Sequence, residues 1–216
     1  MKTDSAEPTG PRLVLGSTSP YRRELLQRLR LPFEVMASKV DETRLPDESA
    51  QSLSLRLARA KAEAVAASCS GQDVVVIGSD QVADLDGEPI GKPGTHDRAV
   101  AQLRRLRGRQ VHFHTAVAVI RPVTGFAEVR HRVVSVRFRA LHDDEIETYL
   151  RLEMPYDCAG SAKCETLGIA LLDSIESDDP TTLIGLPLIV TAELLRQAGL
   201  DPLRNARPEG TAEVGR

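Results

Sequence analysis

Two short apolar runs, LVLG at residues 13–16 and VVVIG at 74–78, constrain the fold more than any other feature of the chain. Neither contains a polar side chain and each ends at glycine, the pattern of a strand buried on both faces and central in its sheet. Helical periodicity follows these runs or lies between them, at 20–29, 50–67, 95–106, 143–152 and 187–198, with Gly108 and Gly199 as C-terminal stops. The middle of the chain reads differently. Residues 111–120, a PVTG turn and residues 126–141 predict two long strands joined as a hairpin, and 167–175 predicts one more strand. This order of elements predicts an α/β protein with a mixed sheet rather than a regular doubly wound one.

With 216 residues, 41% of them hydrophobic, the chain suits one domain, expected over 12–200. Residues 1–11 and 201–216, rich in Pro, Gly, Arg and Glu, read as frayed, flexible tails. No apolar stretch approaches a membrane span, and the first residues lack the apolar centre of a signal peptide. Three cysteines, Cys69, Cys158 and Cys164, have no zinc-type spacing and suit a reducing cytosol, so a cytoplasmic protein without a membrane partner is expected. The formal charge of −3 and 3% aromatic content oppose nucleic-acid binding. The basic run RRLRGR, Arg104 to Arg109, is expected to be a solvated helix end, and His112 and His114, alternating on one strand face without a third ligand, are expected to pack across strands. Met36 and Met154 read as gap fillers.

Chemistry is concentrated in a few loops. In GSTSPYRRELL a buried strand ends in small polar residues and a helix begins, with Ser19 as N-cap and Pro20 at the first helical position. Arg22 and Arg23 then fall at the positive end of the helix dipole, where basic residues are disfavoured by about 0.3–1 kcal/mol each. A bound anion reverses that sign, and Ser17, Thr18, the helix N–H groups and both arginines would surround a phosphate chain. A solvated surface helix whose arginines pair with acids such as Glu24 is the other reading. Asp80 is expected just beyond the end of a buried strand, as a general base or metal ligand, and Lys92 in GKP follows a turn at Asp86-Gly87 that can swing it back toward the same strand end. Adjacent Asp41 and Glu42 could supply oxygens to Mg²⁺ or Mn²⁺. Lys61, on a helix whose other face carries Leu53, Leu57 and Ala60, either reaches this site or faces solvent. Lys163 and Glu165, in the small-residue loop CAGSAKCETLG, either contact base or phosphate or form an ordinary turn. Singly, each reads as a solvated charge; only convergence in space promotes them.

Taken together, STSPYRR, VDET, GSDQV, GKP and CAGSAKCETLG, followed by DP and GLPL, resemble the Maf family of nucleotide pyrophosphatases from about Leu13 to about Gly199. The resemblance implies an elongated α/β fold shared with inosine-triphosphate pyrophosphatases, a divalent metal cation, and cleavage between the α and β phosphates. It implies Asp80 as proton acceptor for the attacking water, with Ser17, Arg22, Arg23, Glu42, Lys61 and Lys92 around the phosphates and metal. Tyr21, Gln81 and Glu165 resemble the subgroup acting on 7-methyl-GTP: an aromatic face for a cationic base, worth about 0.5–2 kcal/mol, and a carboxylate for the guanine N1 and amino edge. Ala162 and Cys164 stand where that subgroup's GSFKSE-like loop has phenylalanine and serine, which alters the apolar wall of the base pocket. Two other readings remain open, a dTTP or UTP pyrophosphatase of the same family and a nucleotide-binding cell-division regulator without turnover. A homodimer is implied only at the level of the family.

Overall fold

A computed structural model describes residues 10–205. Its sheet has seven strands: β1 (Arg12–Leu15), β2 (Phe33–Val35), β3 (Val74–Leu85), β4 (Glu88–Ile90), β5 (Gln110–Arg121), β6 (Phe126–Phe138) and β7 (Leu172–Glu176). Their order is β2-β1-β3-β5-β6-β7, with β4 paired to β3. β1 runs parallel to both β2 and β3, and every other pairing is antiparallel. The mixed-sheet α/β architecture is as expected.

The helices are α1 (Pro20–Gln27), α2 (Ala50–Ser68), α3 (His96–Leu106), α4 (Asp143–Glu153), α5 (Leu188–Gln197) and the single turn α6 (Pro202–Asn205), which occupies part of the end read as a tail from Asp201. The remainder of both predicted tails, 1–9 and 206–216, lies outside the described residues. α1 and α5 close one sheet face with Leu25, Leu26, Leu194 and Leu195 against Leu15, Ile77 and Val117. α2 covers the opposite face with Ala58, Ala62 and Val65 against Val74, Val76 and Ala116. A further cluster under α3 and α4 joins Leu103, Ile146 and Leu150 to Phe113, Val134 and Phe138.

Three expectations need correction. Residues 167–171 form a 3₁₀ turn, and only Leu172–Glu176 is strand. The turn carries Leu171 inward, and its apolar residues read as strand because a short apolar run has no periodicity to distinguish the two. Met154 fills no gap: it is exposed and caps α4 in a left-handed conformation at φ 44°. β3 does not stop at Gly78 but continues through Leu85, because its second half forms a hairpin with β4 across Asp86-Gly87, both at positive φ as a tight two-residue turn requires.

That extension builds the site. β1 pairs with β3 only as far as Ile77, and β4 pairs with the same strand from Ala83 onward. Between these points β3 pairs with β5 alone. The sheet therefore has an open notch at residues 78–82, and a cavity enters there.

Candidate active site

Asp80 lies in the notch, in the interior of β3 rather than beyond its end as expected. Successive strand residues point to opposite faces, so Asp80 faces α2 while Gln81 faces the other layer; the missing edge partner lets both reach one cavity of about 810 Å³. Gly78 sets the approach of the helix. A Cβ at this position would stand 2.2 Å from Ala58 O and 2.6 Å from Ala62 N, so only glycine lets α2 lie this close to β3.

Close packing brings Lys61 onto Asp80. Lys61 falls in the buried stripe of α2 with Leu53, Leu57 and Val65, not opposite Leu53 and Leu57 as expected, and is only 6% exposed. Its ammonium donates to Asp80 Oδ1 at 2.7 Å and meets Glu42 Oε1 at 2.8 Å. A lysine in register with an apolar stripe is a legible signal of a buried charge, since an unpaired ammonium there would be costly. Burial raises the Asp80 carboxyl above its ordinary range despite the opposing charges of Lys61 and Arg22. Burial pushes the Glu42 carboxyl the same way, but the hydrogen bond and charge of Lys61, with Lys92 and Arg22, hold it below its ordinary value.

The helix start is built as the sequence suggested. Ser19 Oγ accepts from Arg22 N at 3.4 Å and Pro20 occupies the first position. Buried Ser17 accepts from Ser19 N and from the Arg22 guanidinium, both at 3.3 Å. Arg22 also donates through Nε to Gly185 O at 2.9 Å. Burial pulls its guanidinium below the ordinary value, and Asp80 and Glu42 oppose the change. Arg23 does not join it. Adjacent helix residues are turned by about 100°, and Arg23 is exposed beside Gln27, Pro32 and Phe33, outside the cavity. Asp41 is likewise turned away, its Oδ1 accepting from Thr43 N in a local turn, whereas Glu42 lines the cavity.

At the other end the cavity is lined by Tyr21, Phe113, Asp157, Cys158, Ala162 and Glu165. Gln81 is fixed here. Its Nε2 lies 2.9 Å from Thr115 Oγ1, 3.0 Å from Thr182 O and 3.1 Å from Leu183 O, so its amide oxygen is the atom left for a ligand. Lys163 leaves the cavity, donating from Nζ to Glu153 O at 2.8 Å. Lys92 lines the cavity on the segment after β4, as the turn at Asp86-Gly87 predicted.

Several lining residues escaped the sequence reading. Lys39, at φ 47°, and Arg44 add positive charge beside Glu42, and Phe113 adds the aromatic surface that Ala162 lacks. The segment 179–187 supplies the carbonyls that hold Arg22 and Gln81, and is itself organised by buried Asp179. That carboxylate accepts from Thr181 N at 2.9 Å, Thr181 Oγ1 at 2.6 Å and Ile189 N at 2.7 Å, the last in the first turn of α5.

The other candidates settle outside the site. His112 bonds Ser135 across strands at 3.0 Å, and His114 Nδ1 meets His131 Nε2 at 3.1 Å. The arginines of residues 104–109 pair with Asp143, Glu88 and Asp86. No helix of the described residues is long and apolar enough to cross a membrane.

Comparison with known proteins places this geometry in context. The family profile described as "Maf-like protein" matches residues 12–198. The chain is 60% identical over 201 residues to a 7-methyl-GTP pyrophosphatase of Albidiferax ferrireducens, covering 92% of this chain and 98% of that protein. It is 63% identical over 193 residues to a protein of the same name from a Polaromonas species, covering 89% and 87%. Against the 7-methyl-GTP pyrophosphatase of Bordetella pertussis it is 60% identical over 193 residues, covering 89% and 95%.

Proposed function

The chain belongs to the Maf family, and from that membership we propose that it hydrolyses 7-methyl-GTP to the monophosphate and diphosphate. One observation carries the reading. A single cavity joins a buried carboxylate–lysine pair flanked by Arg22 and Lys92 to an opposite end formed by Tyr21, Gln81 and Glu165. The first end suits a phosphate chain and the second a guanine edge, whose N–H donors match the acceptors of Gln81 and Glu165.

In this reading Asp80 orients the attacking water and takes its proton. Lys61 occupies Oδ1, and Oδ2 has no hydrogen-bond partner among the described residues, leaving it for water. The raised pKa makes the carboxylate a stronger base, as proton abstraction near neutrality favours. Arg22, held by Ser17 and Gly185, stands preorganised for negative charge and does not have to be ordered when the bond to the leaving diphosphate breaks. Lys61 and Lys92 add charge to the same end.

A divalent cation, Mg²⁺ or Mn²⁺, fits these donors. No three His, Cys, Asp or Glu side chains gather as a metal site among the described residues. Phosphate-processing sites commonly hold such ions with one or two carboxylates and the substrate's own oxygens. Glu42 and Asp80, converging on Lys61 Nζ, supply two. Bound there, the ion would withdraw charge from the phosphate oxygens.

The test is diphosphate release by the purified protein with Mg²⁺ or Mn²⁺ over 7-methyl-GTP, GTP, UTP, dTTP and CTP. Preference for 7-methyl-GTP upholds the reading. Pyrimidine preference keeps the reaction and overturns the base assignment, and binding without diphosphate release makes the chain a nucleotide-binding protein.

A further inference from the structure

Resting on that reading of the cavity, we infer that Asp157 is a further specificity-determining residue, which with Glu165 makes the base end an acidic wall selecting a positively charged, N7-alkylated purine over its neutral parent.

Four carboxylates line the cavity, and they fall into two groups. Glu42 and Asp80 share the ammonium of Lys61 and feel the further positive charge of Arg22, with Lys92 also acting on Glu42. Asp157 and Glu165 have no cationic partner among the described residues. Cations lining the cavity come from α1, the segment 37–44, α2 and the segment after β4, and none comes from the 157–165 loop. Lys163, the basic residue of that loop, spends its ammonium on Glu153 O.

The Asp157 carboxylate stands one side chain away from the hydroxyl of Tyr21. Cys158 Sγ lies 3.7 Å from Tyr21 Oη and 3.5 Å from Asp157 Oδ1, so one thiol separates the tyrosine from the acid. Burial, with the negative charges of Asp157 and Glu165 adding to it, pushes that thiol up to about 11, so it remains neutral near pH 7. A neutral guanine can donate its N–H edge to Glu165 but gains little from the charge of Asp157. A base carrying positive charge stacks on Tyr21 and interacts favourably with both, and the difference between the two bases is what selectivity measures. The polyphosphate meets opposite charge at the far end of the same cavity.

The experiment compares kcat/KM for 7-methyl-GTP and GTP in the wild type, Asp157→Asn, and Asp144→Asn, an exposed acid away from the cavity as the control for net charge. Asp157→Asn should lower the 7-methyl-GTP to GTP ratio about three- to ten-fold, mainly through KM for the methylated substrate. Asp144→Asn should leave the ratio in place. Raising salt should shrink the wild-type preference more than that of Asp157→Asn. A wild-type preference that survives Asp157→Asn unchanged overturns the role of Asp157 while leaving the reading of the cavity intact. A wild type without preference, or without turnover of either nucleotide, overturns that reading and this inference with it.

Discussion

Lys61 Nζ sits 2.7 Å from Asp80 Oδ1, with both side chains buried and the contact permitted by the absent side chain of Gly78. The pair joins a helix stripe to a strand notch; Asp80 without Lys61 would lose its nearest countercharge, whereas Lys61 without Asp80 would keep Glu42. Asp80→Asn keeps the shape and removes the base, so diphosphate release should fall about 10²–10⁴-fold. Nucleotide binding, read by fluorescence or calorimetry, should persist. Near-wild-type turnover in this variant would remove Asp80 from the mechanism.

The pH profile follows from the same residue. Its pKa is raised by burial, and the base must be deprotonated to accept a proton. Activity should therefore be lost on the acid side at a pH above the ordinary carboxylate range, and kcat/KM measured over acidic to neutral pH should show the displaced limb. A limb at the usual position of an exposed aspartate would contradict the assignment.

Neighbouring arginines should behave unequally. Arg22→Ala removes a half-buried guanidinium tied to Ser17 and Gly185 and should cost about 10²–10³ in kcat/KM. Arg23→Ala, on the exposed flank of α1, should change it by only about two-fold. Equal losses would show that both side chains reach the substrate.

Asp179 should matter without touching substrate. Asp179→Ala strips the acceptor from Thr181 N, Thr181 Oγ1 and Ile189 N, and should destabilise the fold by about 2–4 kcal/mol. Because the same segment holds Arg22 and Gln81, KM should rise in the folded fraction, whereas Asp179→Asn should restore part of both. Calorimetric melting together with steady-state kinetics separates the two effects.

His114 and His131, neither of which lines the cavity, predict acid sensitivity of the fold. Burial, then the neighbouring His114 and Arg132, lower His131 to about 4, and burial lowers His114 as well. A depressed folded-state pKa gives stability that is present above about 6.5 and is lost as pH falls from there toward 4. For a half-exposed pair the loss should be about 1 kcal/mol after solvent screening. His131→Gln should flatten the melting temperature between pH 7.5 and 5, and an unchanged slope would show that the pair contributes nothing.

Local pattern was enough to read α1, α2, α3, α4 and α5, the two long hairpin strands and the buried β1 from the sequence, because periodicity, caps and turn residues act over a few positions. The Asp86-Gly87 turn and the Ser19-Pro20 helix start were legible for the same reason. The family followed from several motifs in order, and that resemblance drew Tyr21, Gln81, Glu42, Lys61 and Asp80 together before any coordinates. What tertiary structure alone decided was direction and partnership. Helix phase separated Arg22 from Arg23, and the distant Glu153 carbonyl drew Lys163 away. The notch opened because β1 and β4 meet β3 at different stretches, a fact of pairing between segments far apart in the chain. Asp157 took its place beside Cys158, whose thiol meets Tyr21 from far along the chain, a contact that no window of neighbouring residues contains.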